Sequence, residues 1–159
     1  MKQYDQEIYI YDATESDLPV ILDIQKRAFH GESALYDFVV LPPMLETIDD
    51  LKREMMRGVL IKAVRADTIV GSVRAYQEGK TCYIGRLVVE PELQNQGIGR
   101  KLMEKIEAYF SCDRFELFTG HRSAKSIALY EKLGYRRYKE NFADDNVRLV
   151  YLEKRKAVE

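Results

Sequence analysis

The chain has 159 residues, 46% hydrophobic and 32% charged, which suits one soluble globular domain over 1–159 with enough apolar material for its own core. With 25 basic and 26 acidic side chains, the formal charge of −1 gives no bulk attraction to nucleic acid or to an anionic membrane. Two isolated cysteines, Cys82 and Cys112, exclude a disulfide framework and a metal cage, so no metal is expected.

No run approaches the ~18 apolar residues of a membrane helix. The first residues, Met1 to Asp5, lack the apolar core of a secretory signal. A cytoplasmic location is the expectation.

In chain order, Ile8 to Ala13 alternate and favour strand. Thr14 then predicts a helix N-cap, with Glu15 and Asp17 at the positive end of the dipole and Leu18, Ile21, Leu22, Ile24, Ala28 and Phe29 at helical spacing. From His30 to Thr47 the glycine, serine and prolines predict a loop with a short helix, in which Tyr36, Phe38 and Leu41 are read as exposed. Thr47 or Asp49 caps a second helix running to about Arg57.

Three strands follow, Val59–Ala66, Ile69–Gln77 and Thr81–Val89, joined by turns short enough for an antiparallel meander. After Pro91 the period changes from two to 3.6. Ile98, Leu102, Ile106 and Phe110 make one stripe, opposite Arg100, Lys101, Glu104, Lys105 and Glu107. The rest reads as a strand Arg114–Thr119, a helix from about Ser123 to Leu133 closed by Gly134, and two strands, about Tyr135–Glu140 and Val147–Lys154, around a polar loop, Asn141–Asn146. Helices covering a mixed sheet are the natural packing.

Leu87-Val88-Val89-Glu90-Pro91 ends a strand, and Gln94-Asn95-Gln96-Gly97-Ile98-Gly99-Arg100 opens the long helix. Glycines there let backbone approach a ligand. The first-turn amides of a helix lack internal partners and carry partial positive charge, so a pyrophosphate satisfies them, with Arg100 adding a full charge. A tight turn with close helix–strand packing is the plain alternative. The dinucleotide pattern G-x-G-x-x-G is not completed after Gly99, and the lysine-containing phosphate loop is absent.

That block resembles the acetyl-CoA motif of the GNAT superfamily of N-acetyltransferases, an L-x-V-x-P strand end followed by [RQ]-x-x-G-x-[GA]. Ile127-Ala128-Leu129-Tyr130-Glu131-Lys132-Leu133-Gly134-Tyr135 resembles the same family's "LYEKLGF" helix, one helix and one strand further on. The resemblance covers nearly the whole chain. It implies an α/β (α+β) fold: a mixed, mostly antiparallel twisted sheet of about seven strands flanked by four helices. Where many relatives carry an Asn seven residues before the tyrosine, this chain has Ser123, and Ser126 stands where some others place one. Either serine can hydrogen-bond the cofactor's arm.

The resemblance further implies acetyl-CoA as co-substrate, its pantetheine lying along the splayed strand Gly85–Val89 with Leu87 and Val89 as backbone partners. The Val89 amide would donate to the thioester oxygen. Tyr130 matches the tyrosine that protonates the leaving thiolate, although Ile127, Leu129, Tyr130 and Leu133 also form an apolar arc that a core tyrosine would complete. Glu116, His121, Glu32, Glu90 and a water chain are all open as the base. Cys82, inside a strand, is expected to be inert, so attack is direct in a ternary complex.

Acceptor choice is expected to lie with His30–Thr47 and Asn141–Asn146. Glu32, Asp37, Glu46, Asp49, Asp50, Glu54, Asp144 and Asp145 would suit a cationic amine, or they are solvated faces and turns. Tyr11, Tyr83 and Tyr135 could line a pocket or fill the core. A homodimer paired through sheet edges is compatible with the resemblance. Two rival functions are a GNAT-fold module that holds acyl-CoA without turnover and an interaction domain whose turn binds nothing.

Overall fold

The computed structural model describes residues 7–144 and 146–156. Its elements are β1 (Tyr9–Asp12), α1 (Leu18–Ser33), α2 (Ile48–Arg57), β2 (Val59–Arg65), β3 (Thr68–Glu78), β4 (Thr81–Val89), α3 (Ile98–Ala108), β5 (Arg114–Gly120), α4 (Ala124–Lys132), β6 (Arg136–Phe142) and β7 (Arg148–Arg155). The helix starts follow local chemistry. Asp17 accepts the Thr14 amide at 2.7 Å as the chain turns into α1, and Thr47 and Asp50 satisfy each other's amides at the start of α2.

The seven strands form one sheet in the order β1-β2-β3-β4-β5-β7-β6. Every neighbouring pair is antiparallel except β4 and β5, which are parallel because α3 returns the chain to the same end of the sheet. On one face α3 buries Ile98, Leu102, Met103 and Ile106 among Val73, Cys82, Phe115 and Leu152, and α4 adds Ile127 and Tyr130. On the other face Leu18, Ile21 and Leu22 of α1 pack with Leu51 of α2 and Leu60 of β2.

Each such fully buried aliphatic side chain stabilises by about 1.5–3 kcal/mol. An exposed ion pair such as Arg27–Glu90, which ties α1 to the end of β4, is worth ~0–1 kcal/mol. Burial therefore decides where α1 sits, and the ion pair only trims it.

Between α1 and α2 the structure corrects the sequence expectation. The chain makes helical turns at Ala34–Tyr36 and Pro42–Leu45, and Tyr36 and Leu41 are buried with Val147. Only Phe38, 69% exposed, faces solvent as expected. The reason is tertiary: Gly120 leaves room beneath it for the Tyr36 ring, which periodicity in the loop cannot reveal. The final hairpin also differs, because Tyr135 precedes β6 and is a core residue, while the strand itself runs on to Phe142. Asp145 lies outside the described residues. No helix among those described is long and apolar enough to cross a membrane.

Candidate active site

The site begins with a defect in β4. Gly85 to Val88 opposes Arg74 to Ser72, so one extra residue is inserted in β4, and Arg86 takes a left-handed conformation at φ 53°. Such a bulge bends its strand. The parallel ladder to β5 ends at Tyr83–Glu116, and beyond that point the two strands diverge.

The diverging edge has a defined polarity. Glu90 donates its amide to Val70 on β3 at 2.8 Å, and successive residues of a strand alternate direction, so Val89 turns its N–H and C=O toward the unpaired edge. Gln94 reaches that edge, its Nε2 lying 3.5 Å from the Val89 carbonyl oxygen. Leu87 and Val89 also pack sideways against Gly99 of α3, where a side chain would crowd Leu129 at 3.4 Å.

Past the short helical turn Pro91–Leu93, Asn95 and Gly97 are both left-handed, at φ 65° and φ 83°. Gly97 caps α3, and its carbonyl accepts the Lys101 amide at 3.1 Å. The amides of Ile98, Gly99 and Arg100 therefore stand ahead of any intrahelical acceptor. A side chain at Gly97 would meet nothing within 4 Å, so its backbone faces open space. The cradle combines three donors, a helix dipole and room for an anion. Gln94, Asn95, Gln96 and Arg100 are exposed around it, Arg100 paired loosely with Glu104 at 3.5 Å, while Ile98 and Val88 are buried beneath.

Tyr130 on α4 is 8% exposed, its ring 6.1 Å from that of Tyr135. Burial, reinforced by the charge of Glu32, pushes its hydroxyl well above the ordinary tyrosine value. Among the described residues that hydroxyl has no hydrogen-bond partner, and since no fully buried polar side-chain atom goes unsatisfied, it touches solvent. Tyr135, by contrast, donates to Glu107 at 2.7 Å and belongs to the core. Ser123 at the start of α4 is buried, exchanging a 2.7 Å hydrogen bond with Tyr36, so its hydroxyl is already engaged. Ser126 is half-buried one turn along.

The remaining sequence candidates separate by their partners. Glu116 is held by Arg114 at 2.7 Å and accepts from Tyr138 at 2.6 Å. Glu90 is gripped by both ends of Arg27. His121 accepts the Arg148 amide at Nδ1, 3.0 Å away, and so braces the end of β7. Glu32 has no ion pair among the described residues. Cys82 is wholly buried beside Cys112, and burial pushes its thiol up to about 12, which removes the thiolate a nucleophile needs.

Of the carboxylates named as suiting a cationic amine, Glu46, Asp50 and Glu54 are paired with arginines. Glu46 lies 2.7 Å from Arg74 and 3.2 Å from Arg86; burial disfavours its charge, yet the guanidiniums outweigh burial and hold its carboxyl below the usual range. Glu54 pairs with Arg57 at 2.7 Å, Asp50 caps α2, and Asp144 accepts the Asn146 amide at 2.7 Å.

A cavity of ≈ 260 Å³ opens where β4 and β5 part, and Tyr83, Arg86 and Glu116 are among the residues that line it. Tyr76, Phe118, Tyr151, Arg57 and Arg74 also line it, and none of these was singled out from sequence. One signal was there to be found: Tyr76, Phe118 and Tyr151 occupy the polar phase of strands whose alternate residues fill the core. Tyr11 lies away from the cavity and is exposed.

Residues 34–156 match the family model described as an acetyltransferase (GNAT) domain. A candidate acetyltransferase of Bacillus subtilis (strain 168) is 24% identical over 141 residues, covering 89% of this chain and 91% of that protein. Among solved structures, the PaiA N-acetyltransferase of Thermoplasma acidophilum in complex with coenzyme A superposes with a TM-score of 0.77 at 17% identity, covering 95% of this chain and 100% of the other. The ribosomal-protein-S18-alanine N-acetyltransferase of Escherichia coli gives a TM-score of 0.78 at 17% identity, with 96% of each chain covered.

Proposed function

Because the chain belongs to the GNAT family of acetyltransferases, we propose that it transfers the acetyl group of acetyl-CoA to a primary amine by direct attack in a ternary complex, with Tyr130 as the general acid. One observation carries the reading: a tyrosine hydroxyl with no other partner among the described residues, in an apolar setting that keeps its proton on, stands on α4, whose Leu129 packs toward Gly99 at the start of α3.

In this reading the amides of Ile98, Gly99 and Arg100 hold the diphosphate, and Gln94, Asn95, Gln96 and Ser126 border it. The pantetheine arm pairs with the free edge of β4 at Leu87 and Val89, as an added strand would. The Val89 amide donates to the thioester oxygen, where charge grows as the amine attacks; a donor so placed supplies ~3 kcal/mol. The tetrahedral intermediate then expels the CoA thiolate, and Tyr130 gives it a proton. For the proton leaving the amine, Glu32 is better placed than Glu116, whose oxygens are already shared by Arg114 and Tyr138.

Steady-state release of CoA thiol across a panel of amines tests the scheme. Tyr130→Phe is expected to lower turnover ten-fold or more while CoA affinity, followed by calorimetry, stays close to that of the parent. Unchanged turnover removes Tyr130 from the acid role. Glu32→Gln and Glu116→Gln in the same assay identify the base, because its loss flattens the acid limb of the pH–rate profile.

A further inference from the structure

The cavity where β4 and β5 part has two aromatic walls and a charged end. Tyr76 and Tyr83, directly opposed on β3 and β4, stack with centroids 5.3 Å apart; Phe118 and Tyr151 form the facing pair at 5.4 Å. At ≈ 260 Å³ it is smaller than the about 300–1,000 Å³ that encloses drug-sized ligands, so a compact molecule fits.

At the charged end three guanidiniums meet two carboxylates. Arg74 is satisfied twice by Glu46, at 3.1 and 2.7 Å. Arg57 pairs with Glu54 and lies 3.6 Å above the Tyr76 ring. Arg86 spends only its Nε, on Glu46 at 3.2 Å, so both terminal nitrogens lack a partner among the described residues. Its side chain is nonetheless only 21% exposed. With no fully buried polar side-chain atom unsatisfied among the described residues, those nitrogens reach open space, and an unpaired guanidinium fork matches a carboxylate in two parallel hydrogen bonds. Arg86 sits in the bulge of β4 with a left-handed backbone, φ 53°, and lines the cavity.

We propose that the acceptor is a small amino-acid-like amine whose carboxylate is bound by Arg86, its body lying between the Tyr76–Tyr83 and Phe118–Tyr151 walls and its amine reaching the free edge of β4 where the thioester is held. This rests on the acetyl-transfer reading and adds the acceptor class to it. It narrows an acceptor that the sequence left open between a cationic amine and no assignment, since Glu46 and Glu54 beside the cavity are paired with arginines.

The test is a set of matched acceptors with acetyl-CoA: L-phenylalanine, L-leucine and L-histidine, each against the amine left by its decarboxylation. In every pair that turns over, the carboxylate-bearing member is expected to have at least a ten-fold higher kcat/KM. Arg86→Gln is expected to bring that ratio close to one, with Arg86→Lys recovering part of it. Parent-protein ratios near one, or favouring the decarboxylated amines, overturn the proposal without any variant.

Should no amine be acetylated at all, the transfer reading fails while the carboxylate site is still decided by binding. The N-acetyl derivatives of the same pairs are then titrated into CoA-loaded protein and melting is followed. A carboxylate-dependent rise that Arg86→Gln abolishes upholds the site, and no rise with any of them overturns it.

Discussion

Replacing Gly97 by alanine separates the two reasons a glycine can stand at the start of α3. Its φ of 83° is left-handed, and a side chain there would meet nothing within 4 Å. Holding a non-glycine residue in that region costs about 1–2 kcal/mol. For a domain of this size that corresponds to a melting temperature lower by about 2–8 °C. Gly79, in the turn between β3 and β4, is also left-handed, at φ 62°, and equally uncrowded, so Gly79→Ala carries the same conformational cost away from the cradle.

The two variants should therefore melt alike but bind differently. At Gly97 the new methyl group occupies the space through which a phosphate reaches the first-turn amides. Losing one charge-assisted hydrogen bond there, worth about 1.5–3 kcal/mol, weakens CoA binding by about ten- to a hundred-fold. Scanning calorimetry measures the first effect and isothermal titration with CoA the second. If Gly97→Ala and Gly79→Ala bind CoA equally well, the empty space at Gly97 is not where the cofactor lies.

Three further outcomes are expected. Gly120→Ala should destabilise the chain by several degrees in a thermal melt, because its methyl group would overlap the Tyr36 hydroxyl and expel a ring that accepts from the Arg122 amide at 3.0 Å and bonds Ser123 at 2.7 Å; an unchanged melting temperature would mean that Tyr36 is not docked there. Glu46 is held ionised by Arg74 and Arg86, so its folded-state pKa lies below the ordinary 4.5, and its contribution is complete above that value and lost as pH falls toward the folded pKa; Glu46→Gln should be less stable near neutrality and lose less on acidification, as read by denaturant midpoints from pH 7 to pH 3. Cys82, its thiol pushed up to about 12 by burial, should resist iodoacetamide at pH 7.5 in folded protein and react once denaturant is added, and Cys82→Ala should still release CoA thiol; rapid labelling of the folded protein would reopen a covalent route.

Much of the strand-to-helix turn proposed to hold the cofactor was legible in the linear chain because its geometry is local. The Gly97–Gly99 spacing, the stripe of Ile98, Leu102 and Ile106, and the strand end at Leu87–Val89 lie within one stretch, and strand-to-helix turns impose their own amide geometry. The seven strands and four helices follow for the same reason, since period and caps are short-range signals, whereas the single sheet that joins them was implied by the family resemblance.

What only the tertiary structure decided is the cavity proposed here for the acceptor. Tyr76, Tyr83, Phe118 and Tyr151 become two walls through strand register, and Arg86 enters the cavity through a one-residue bulge in β4. Glu46 changes from an apparent acidic surface residue into a counterion when the loop after α1 folds onto β3 and β4. Charge and contact between residues tens of positions apart depend on where strands pair and bend, and a linear pattern carries no term for that distance.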